Sequence, residues 1–177
     1  MEKKEKKMIP IKYIVTCLLL IASSGALAAP PTFPLPHDQW QMIALPATPP
    51  ANANTVEKIL GDNMTGGGDY GQNWVVYAYD TASNGYGSAL ALTDTMEVGK
   101  GYWIIQNFKE GGVTLDMPEN SAETPASELI PLAASKDDSN QWNLAGNPFS
   151  TSLAMGDLRL KTNAPSCNDG SCDLDKA

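Results

Sequence analysis

One short stretch, residues 99–106 (Gly-Lys-Gly-Tyr-Trp-Ile-Ile-Gln), constrains the fold more than any other part of the chain. Its two glycines flank a lysine and predict a tight turn, and the run that follows has the aromatic and β-branched content of a strand. Large apolar side chains alternate to both sides of that run, which predicts a central strand that is buried on both faces. We therefore expect Trp103→Ala to unfold the module that contains this strand.

Other stretches predict strands around this one. They cover residues 39–45, 74–80, 88–92 and 113–117. Pro46 ends the first of them because proline has no N–H to donate to a ladder. Asn84-Gly85 marks a turn before the short strand at 88–92. The pattern predicts a mainly β fold, a small antiparallel sandwich or barrel-like module.

A single short helix is expected between the first two strands. Asn54 is placed to cap it, and Glu57 follows three residues later, as in a capping box. Val56, Ile59 and Leu60 would share its apolar face, and Gly61 would end it.

The N-terminal residues 1–28 predict a signal peptide. Five lysines precede an apolar stretch at residues 13–22, and small residues follow up to Ala-Leu-Ala at 26–28. The apolar stretch is shorter than the roughly 20 residues that a spanning helix needs. Cleavage after Ala28 would leave a protein that is secreted, periplasmic or on the cell surface, with no membrane segment.

The charge balance excludes some partners. The whole chain has 12 basic and 20 acidic residues, and removal of the signal leaves seven and eighteen. Such an acidic chain repels nucleic acid and anionic lipid. We expect neither as a ligand.

The chain repeats part of itself. Residues 141–148 align with residues 39–46, so that Trp142 lies 102 positions after Trp40. This repeat indicates two related modules or two halves of one unit, and the second copy ends before another Gly-Tyr-Trp strand. The chain thus divides into a signal peptide (1–28), an extended proline-rich lead (29–38), a β module (39–118), a linker with a partial strand (119–140) and an incomplete second repeat with a cysteine loop (141–177). The incomplete repeat should either dock onto the first module or self-associate through its exposed edge.

The residue inventory offers little catalytic chemistry. The single histidine of the chain, His37, lies in the proline-rich lead. The sequence has no Gly-x-Ser-x-Gly motif that would supply a serine nucleophile for it. Cys167 and Cys172 are expected to form a disulfide after export. Nearby Asp169, Asp173 and Asp175 resemble part of a calcium loop, but their spacing does not fit one. We expect no cofactor, no metal ion and no enzymatic activity.

Four motifs together resemble a known kind of module. They are the openings at residues 40–46 and 142–149, the Trp-x-Val-Tyr-x-Tyr-Asp strand at 74–80 and the Gly-Lys-Gly-Tyr-Trp-Ile segment at 99–104. This set resembles a β-rich repeat module that recurs in exported and surface-attached bacterial proteins. The resemblance covers about residues 39–117, with 141–177 as a partial second half. It implies a β fold and an extracytoplasmic setting, and it defines no catalytic residues.

Two classes of function fit these features. The first is a non-catalytic secreted or cell-surface module with a role in adhesion, assembly or structure, whose partner is another surface protein. The alternative is a carbohydrate-binding accessory module, in which tyrosine and tryptophan rings would stack on a glycan. Rings in strands are expected in the core, so the candidate ligand-binding residues are those in loops or turns: Tyr70, Tyr86, Asp80 and Asn84. A small secreted hydrolase with a pair of carboxylates is a third, weaker alternative.

Overall fold

The chain forms antiparallel β-sheets in the residues that a computed structural model describes, which are 31–66, 68–132, 142–161 and 171–173. The strands are β1 (Thr32–Leu35), β2 (Gln41–Ile43), β3 (Trp74–Asp80), β4 (Gly85–Tyr86), β5 (Tyr102–Gln106), β6 (Val113–Asp116), β7 (Arg159–Lys161) and β8 (Ser171–Asp173). A π-helical turn spans Glu57–Gly61 and a 3₁₀ turn spans Met155–Asp157. All of the strand pairs are antiparallel, which confirms the predicted mainly β fold with one short helical piece.

Strand β5 lies at the centre of a four-stranded sheet with the order β2-β5-β3-β4. Trp103 of β5 is opposite Met42 of β2 on one side and opposite Tyr77 of β3 on the other. The backbone of β5 therefore pairs along both edges, and the prediction of a central strand is confirmed. Strand β3 has the bounds that its aromatic and β-branched run predicts.

One face of this sheet carries the hydrophobic core. Strands β1 and β6 pair as a second sheet, and the π-helical turn lies beside β6. Buried side chains of both layers form one cluster, among them Leu35, Ile59, Leu60, Trp74, Val76, Tyr102, Ile104, Val113 and Leu115. The arrangement is sandwich-like, and the proline-rich lead contributes strand β1 to it.

The opposite face of the four-stranded sheet is only partly buried, so the prediction that β5 is fully covered on both faces is wrong. Tyr102, Ile104 and Gln106 are buried, whereas Trp103 and Ile105 between them are only half-buried. Alternation sends these two sets to opposite faces. Aromatic and branched side chains favour a strand wherever it lies, and their presence on the second face does not require a covering layer.

The helical turn begins differently from the predicted capping box. No side chain of Asn54 or Glu57 caps it; Lys58 N donates to Thr55 Oγ1 over 3.3 Å. The first N–H groups of the turn find backbone acceptors instead: Val56 N donates to the carbonyl of Asp94 at 2.9 Å. Thr55 Oγ1 and the carbonyls of a neighbouring loop thus take the place of the predicted Asn54 cap. The turn ends at Gly61, as predicted.

The return strand predicted at residues 88–92 is also wrong. The chain pairs back on β3 only through the two residues of β4. Farther on, Leu90 N donates to the carbonyl of Val76 at 2.9 Å, and the carbonyl of Leu92 accepts from Glu57 N at 2.9 Å. The segment leaves the sheet because its backbone satisfies the start of the π-helical turn.

Residues 144–146, in the segment whose sequence aligns with residues 39–46, lie against the turn before β5. Gly101 N donates to the carbonyl of Leu144 at 2.8 Å, and Gly146 N donates to the carbonyl of Gly99 at 2.9 Å. Lys100 and Ala145 form the antiparallel bridge between these bonds. Farther along the chain, β7 and β8 pair as a separate hairpin.

Candidate functional site

The uncovered face of the four-stranded sheet is lined mainly by aromatic side chains, and we call it the open face. It consists of Trp40, Met42, Val75, Tyr77, Tyr79, Tyr86, Trp103 and Ile105. Trp40 is 49% exposed, Met42 is 54% exposed and Tyr86 is 49% exposed. None of these side chains is charged at neutral pH. Exposed apolar patches on folded proteins often mark sites where another molecule binds.

Strand register arranges the open face in rows. Met42, Trp103 and Tyr77 stand in one line across β2, β5 and β3. Trp40 packs beside this line, with its ring centroid 5.9 Å from that of Tyr77 and the ring planes inclined by 58°. Cross-strand neighbours of this type stabilise the sheet that carries them. The rings are tilted against one another, so the face has relief rather than a flat stacking surface.

Hydrogen bonds fix the orientation of several rings. Trp103 Nε1 donates to the hydroxyl of Tyr86 at 2.8 Å, and the hydroxyl of Tyr79 donates to Asn84 Oδ1 at 2.6 Å. Tyr79 and Tyr86 also meet edge to face, with centroids 5.3 Å apart and an interplanar angle of 77°. Rings that are held in this way lose little conformational entropy on binding.

The turn between β3 and β4 supports this end of the open face. The carboxylate of Asp80 accepts from Ser83 Oγ at 2.7 Å and from Ala82 N at 2.9 Å. The bond from Ser83, followed by that from Ala82, holds the pKa of Asp80 below its usual value. Asn84 adopts a left-handed conformation with φ of 53°. Both residues thus shape the turn, where the Asp80 carboxylate and Asn84 Oδ1 accept hydrogen bonds.

Of the four sequence-predicted ligand residues, the structure brings three together. Asp80, Asn84 and Tyr86 share the β3–β4 turn beside the open face. Tyr70 lies elsewhere: its ring packs edge to face on the buried Trp74, with centroids 4.6 Å apart, and its hydroxyl donates to the carbonyl of Leu90. Burial raises the pKa of Tyr70. It lines a separate open groove of about 540 Å³.

Sequence reasoning did not single out Trp40, Met42 or Trp103 as site residues. Trp103 was expected in the core, and the first two were expected only to alternate along a strand. The register of β2 against β5 places all three on one side of the sheet. Alternation along each strand shows that Trp40 and Met42 point to one side of β2. Only the register of β2 against β5 shows that this is the side of Trp103.

Residues 144–146 cover one end of the same side of the sheet. Side-chain alternation assigns Ala44, Gly101 and Thr81 to that side, as extensions of β2, β5 and β3. Leu144 rests on Gly101, where an added Cβ would lie 2.8 Å from its Cγ. Gly146 rests on Ala44. A Cβ added at Gly146 would lie 2.2 Å from the Cβ of Ala44. The open face is therefore the remaining part of a surface that already binds a segment of the chain.

The described residues hold no obvious metal centre or membrane span. Within them, no group of three or more His, Cys, Asp or Glu side chains is placed to hold a metal ion. No helix in the described ranges is both long and apolar enough to cross a bilayer. His37 Nε2 lies 3.0 Å from the carbonyl of Asn107. Cys167, Asp169 and Asp175 fall outside the described residues, as does the signal peptide, and Cys172 and Asp173 are described only in their backbone.

Comparison of the chain with models of protein families, with curated proteins and with solved structures finds no match. The open face and its contacts are therefore the basis for assigning a function.

Proposed function

We propose that this protein is a non-catalytic exported module that acts in adhesion or assembly by binding another protein through the open face. The observation that supports this most is the open face itself, in which Trp, Tyr and Met side chains stand together without a charged group. Trp, Tyr and Met are enriched at the centres of protein–protein interfaces, where charged residues are depleted. A signal peptide at residues 1–28, which the sequence predicts, would direct the module out of the cytoplasm.

Rigidity of the open face also favours binding. The bonds from Trp103 to Tyr86 and from Tyr79 to Asn84 hold the rings in place before a partner arrives. A partner would then gain the burial of exposed apolar area, at roughly 25 cal/mol per Å², with little ordering cost. This is the behaviour of a docking surface that is part of a rigid sheet.

A carbohydrate-binding module is the second candidate. The exposed rings of Trp40 and Tyr86 favour it, because aromatic rings stack on sugar rings. Two features weigh against it: the rings are tilted, and the nearest polar side chains, Asp80 and Asn84, are engaged within their own turn. A glycan needs polar partners as well as rings. A small secreted hydrolase gains no support from the described contacts.

The test is binding of the labelled, exported protein to envelopes of the organism that produces it. An open-face variant, Trp40→Ser with Met42→Gln, is compared with wild type and with a control, Leu129→Ser. Leu129 is 61% exposed and belongs to the segment after β6, outside the sheet. We expect wild type and the control to bind saturably. The open-face variant should bind at least about tenfold more weakly, because side chains at the centre of an interface contribute most of the binding energy.

Pretreatment of the envelopes separates the two candidates. Loss of binding after protease treatment indicates a protein partner, and loss after periodate oxidation with protease resistance indicates a glycan. Equal binding of the open-face variant and wild type would refute the proposed role of the open face. Circular dichroism of each variant establishes that it is folded.

A further inference from the structure

We infer that the partner of the open face is a second copy of this chain, in a two-fold dimer whose two open faces meet. The inference rests on the proposed role of the open face as a docking surface, and it commits that surface to one occupant.

The first support is continuity with a contact within the chain. Residues 142–146 already lie on one end of this side of the sheet, where Leu144 covers Gly101 and Gly146 covers Ala44. Backbone hydrogen bonds at Gly99 and Gly101 hold that segment. The open face continues from this contact along β2, β5 and β3 without a break in the sheet.

The second support is that the contact within the chain includes two residues at matching positions of the aligned segments. Ala44 and Gly146 occupy matching positions in the two repeats, because they are 102 residues apart, as Trp40 and Trp142 are. They pack so closely that position 146 has no room for a Cβ. Contact between equivalent positions is what an approximate two-fold relation produces, and an isologous dimer is built on the same principle. One pair of matching positions is thus already in contact within the chain, beside the backbone hydrogen bonds to Gly99 and Gly101.

The third support is electrostatic. The exported chain would keep seven basic and eighteen acidic residues, so two copies repel over most of their surfaces. The side chains of the open face carry no charge, whereas carboxylates such as Asp80 lie at its margin and are engaged locally. A face-to-face arrangement places uncharged surfaces at the centre and leaves the repelling groups in solvent. Added salt should then strengthen the dimer by screening the marginal repulsion.

Symmetry makes the expected assembly specific. Two open faces that meet across a two-fold axis use up the surface of both copies, so that association stops at the dimer. Head-to-tail contact between the open face and another surface would instead build longer oligomers. The dimer is expected to dissociate over about 1 μM to 1 mM, because the open face has far fewer side chains than the roughly 20–30 residues that each partner contributes to a standard interface.

Sedimentation velocity of the full exported chain tests this over that range of concentration. Wild type and Leu129→Ser should show a monomer–dimer equilibrium with the same Kd, and added salt should not weaken it. Trp40→Ser with Met42→Gln should raise the Kd by about tenfold or more. Both residues are about half-exposed and make no hydrogen bond that fixes another ring, so this variant keeps the fold, which circular dichroism verifies.

Four results would overturn the inference: a protein that is monomeric throughout, a dimer that is unchanged in the open-face variant, a dimer weakened equally by Leu129→Ser, or oligomers beyond the dimer. A monomeric protein whose envelope binding still depends on Trp40 and Met42 would remove only the second copy as occupant and leave the proposed function standing. A monomeric protein without such binding would remove both.

Discussion

Gly146→Ala should release the segment around residues 144–146 from the four-stranded sheet. The added Cβ would lie 2.2 Å from Ala44 Cβ, 3.2 Å from the Lys100 carbonyl oxygen and 3.4 Å from Ala44 Cα. None of these atoms is the end of a rotatable side chain, so relief of the overlap requires backbone movement. Gly146 has no left-handed backbone conformation, and the substitution therefore introduces steric overlap without backbone strain.

The size of the effect follows from the contacts that oppose it. Overpacking of this kind costs about 1–3 kcal/mol. The two hydrogen bonds that hold the segment, Gly101 N to Leu144 O and Gly146 N to Gly99 O, contribute about 0.5–1.5 kcal/mol each. The cost is thus comparable with the stabilisation by these bonds, and about 1.4 kcal/mol changes the ratio of docked to undocked chain tenfold.

Native-state hydrogen exchange provides the assay, because the amides at positions 101 and 146 are the two donors. Both should exchange at least about tenfold faster in Gly146→Ala than in wild type, while amides of β3 and β5 keep their protection. Ala44→Gly provides the matched control: in the double variant it removes the atom that is struck, and protection should largely return. Unchanged exchange in Gly146→Ala, or no recovery in the double variant, would show that the Ala44–Gly146 contact does not hold the segment.

Two further predictions concern the core and its titration. Trp74→Ala should lower the free energy of unfolding by about 3–5 kcal/mol, because Trp74 is buried. Trp103→Ala should lower it by less, because the Trp103 side chain is only partly buried. Equal losses in urea denaturation would place Trp103 in the core after all. Burial raises the pKa of Tyr102 from 10.0 to about 12, so the stability from its neutral form is complete below pH 10 and is lost as the pH rises toward 12. Urea midpoints measured across that interval should fall less steeply for Tyr102→Phe than for wild type, with a remaining decline from Tyr70, and parallel declines would contradict the assignment.

Much of the fold follows from local pattern. β3 and β5 combine aromatic and β-branched side chains with clear boundaries, and sequence alone is sufficient to place them. The alternation of β6 also predicts its buried Val113 and Leu115 and its exposed Thr114. In these segments local preference and tertiary packing favour the same structure.

The features that escaped prediction depend on distant partners. Whether Trp103 faces a covering layer or solvent is decided by what packs over β5, and an aromatic side chain in a strand has the same sequence signature in both cases. The start of the π-helical turn depends on the carbonyls of Leu92 and Asp94, which no local capping rule includes. The candidate site was likewise predictable only in part. The sequence pattern indicated the residues of the β3–β4 turn, whereas Trp40 and Met42 could be assigned to the site only from the strand register.

The position of Ile130 affects how strongly the second repeat must bind. Ile130 packs on Gly99, where an added Cβ would lie 2.3 Å from its Cδ1, and Leu144 rests on Gly101 two residues away. Ile130 and Leu144, which are 14 positions apart in the sequence, therefore pack on two glycines of the same turn. A short covalent tether of this kind gives a local concentration on the order of millimolar. Contacts that would be too weak to hold two separate molecules together can thus keep the second repeat in place, and cleavage within the tether would leave each piece to rely on its intrinsic affinity.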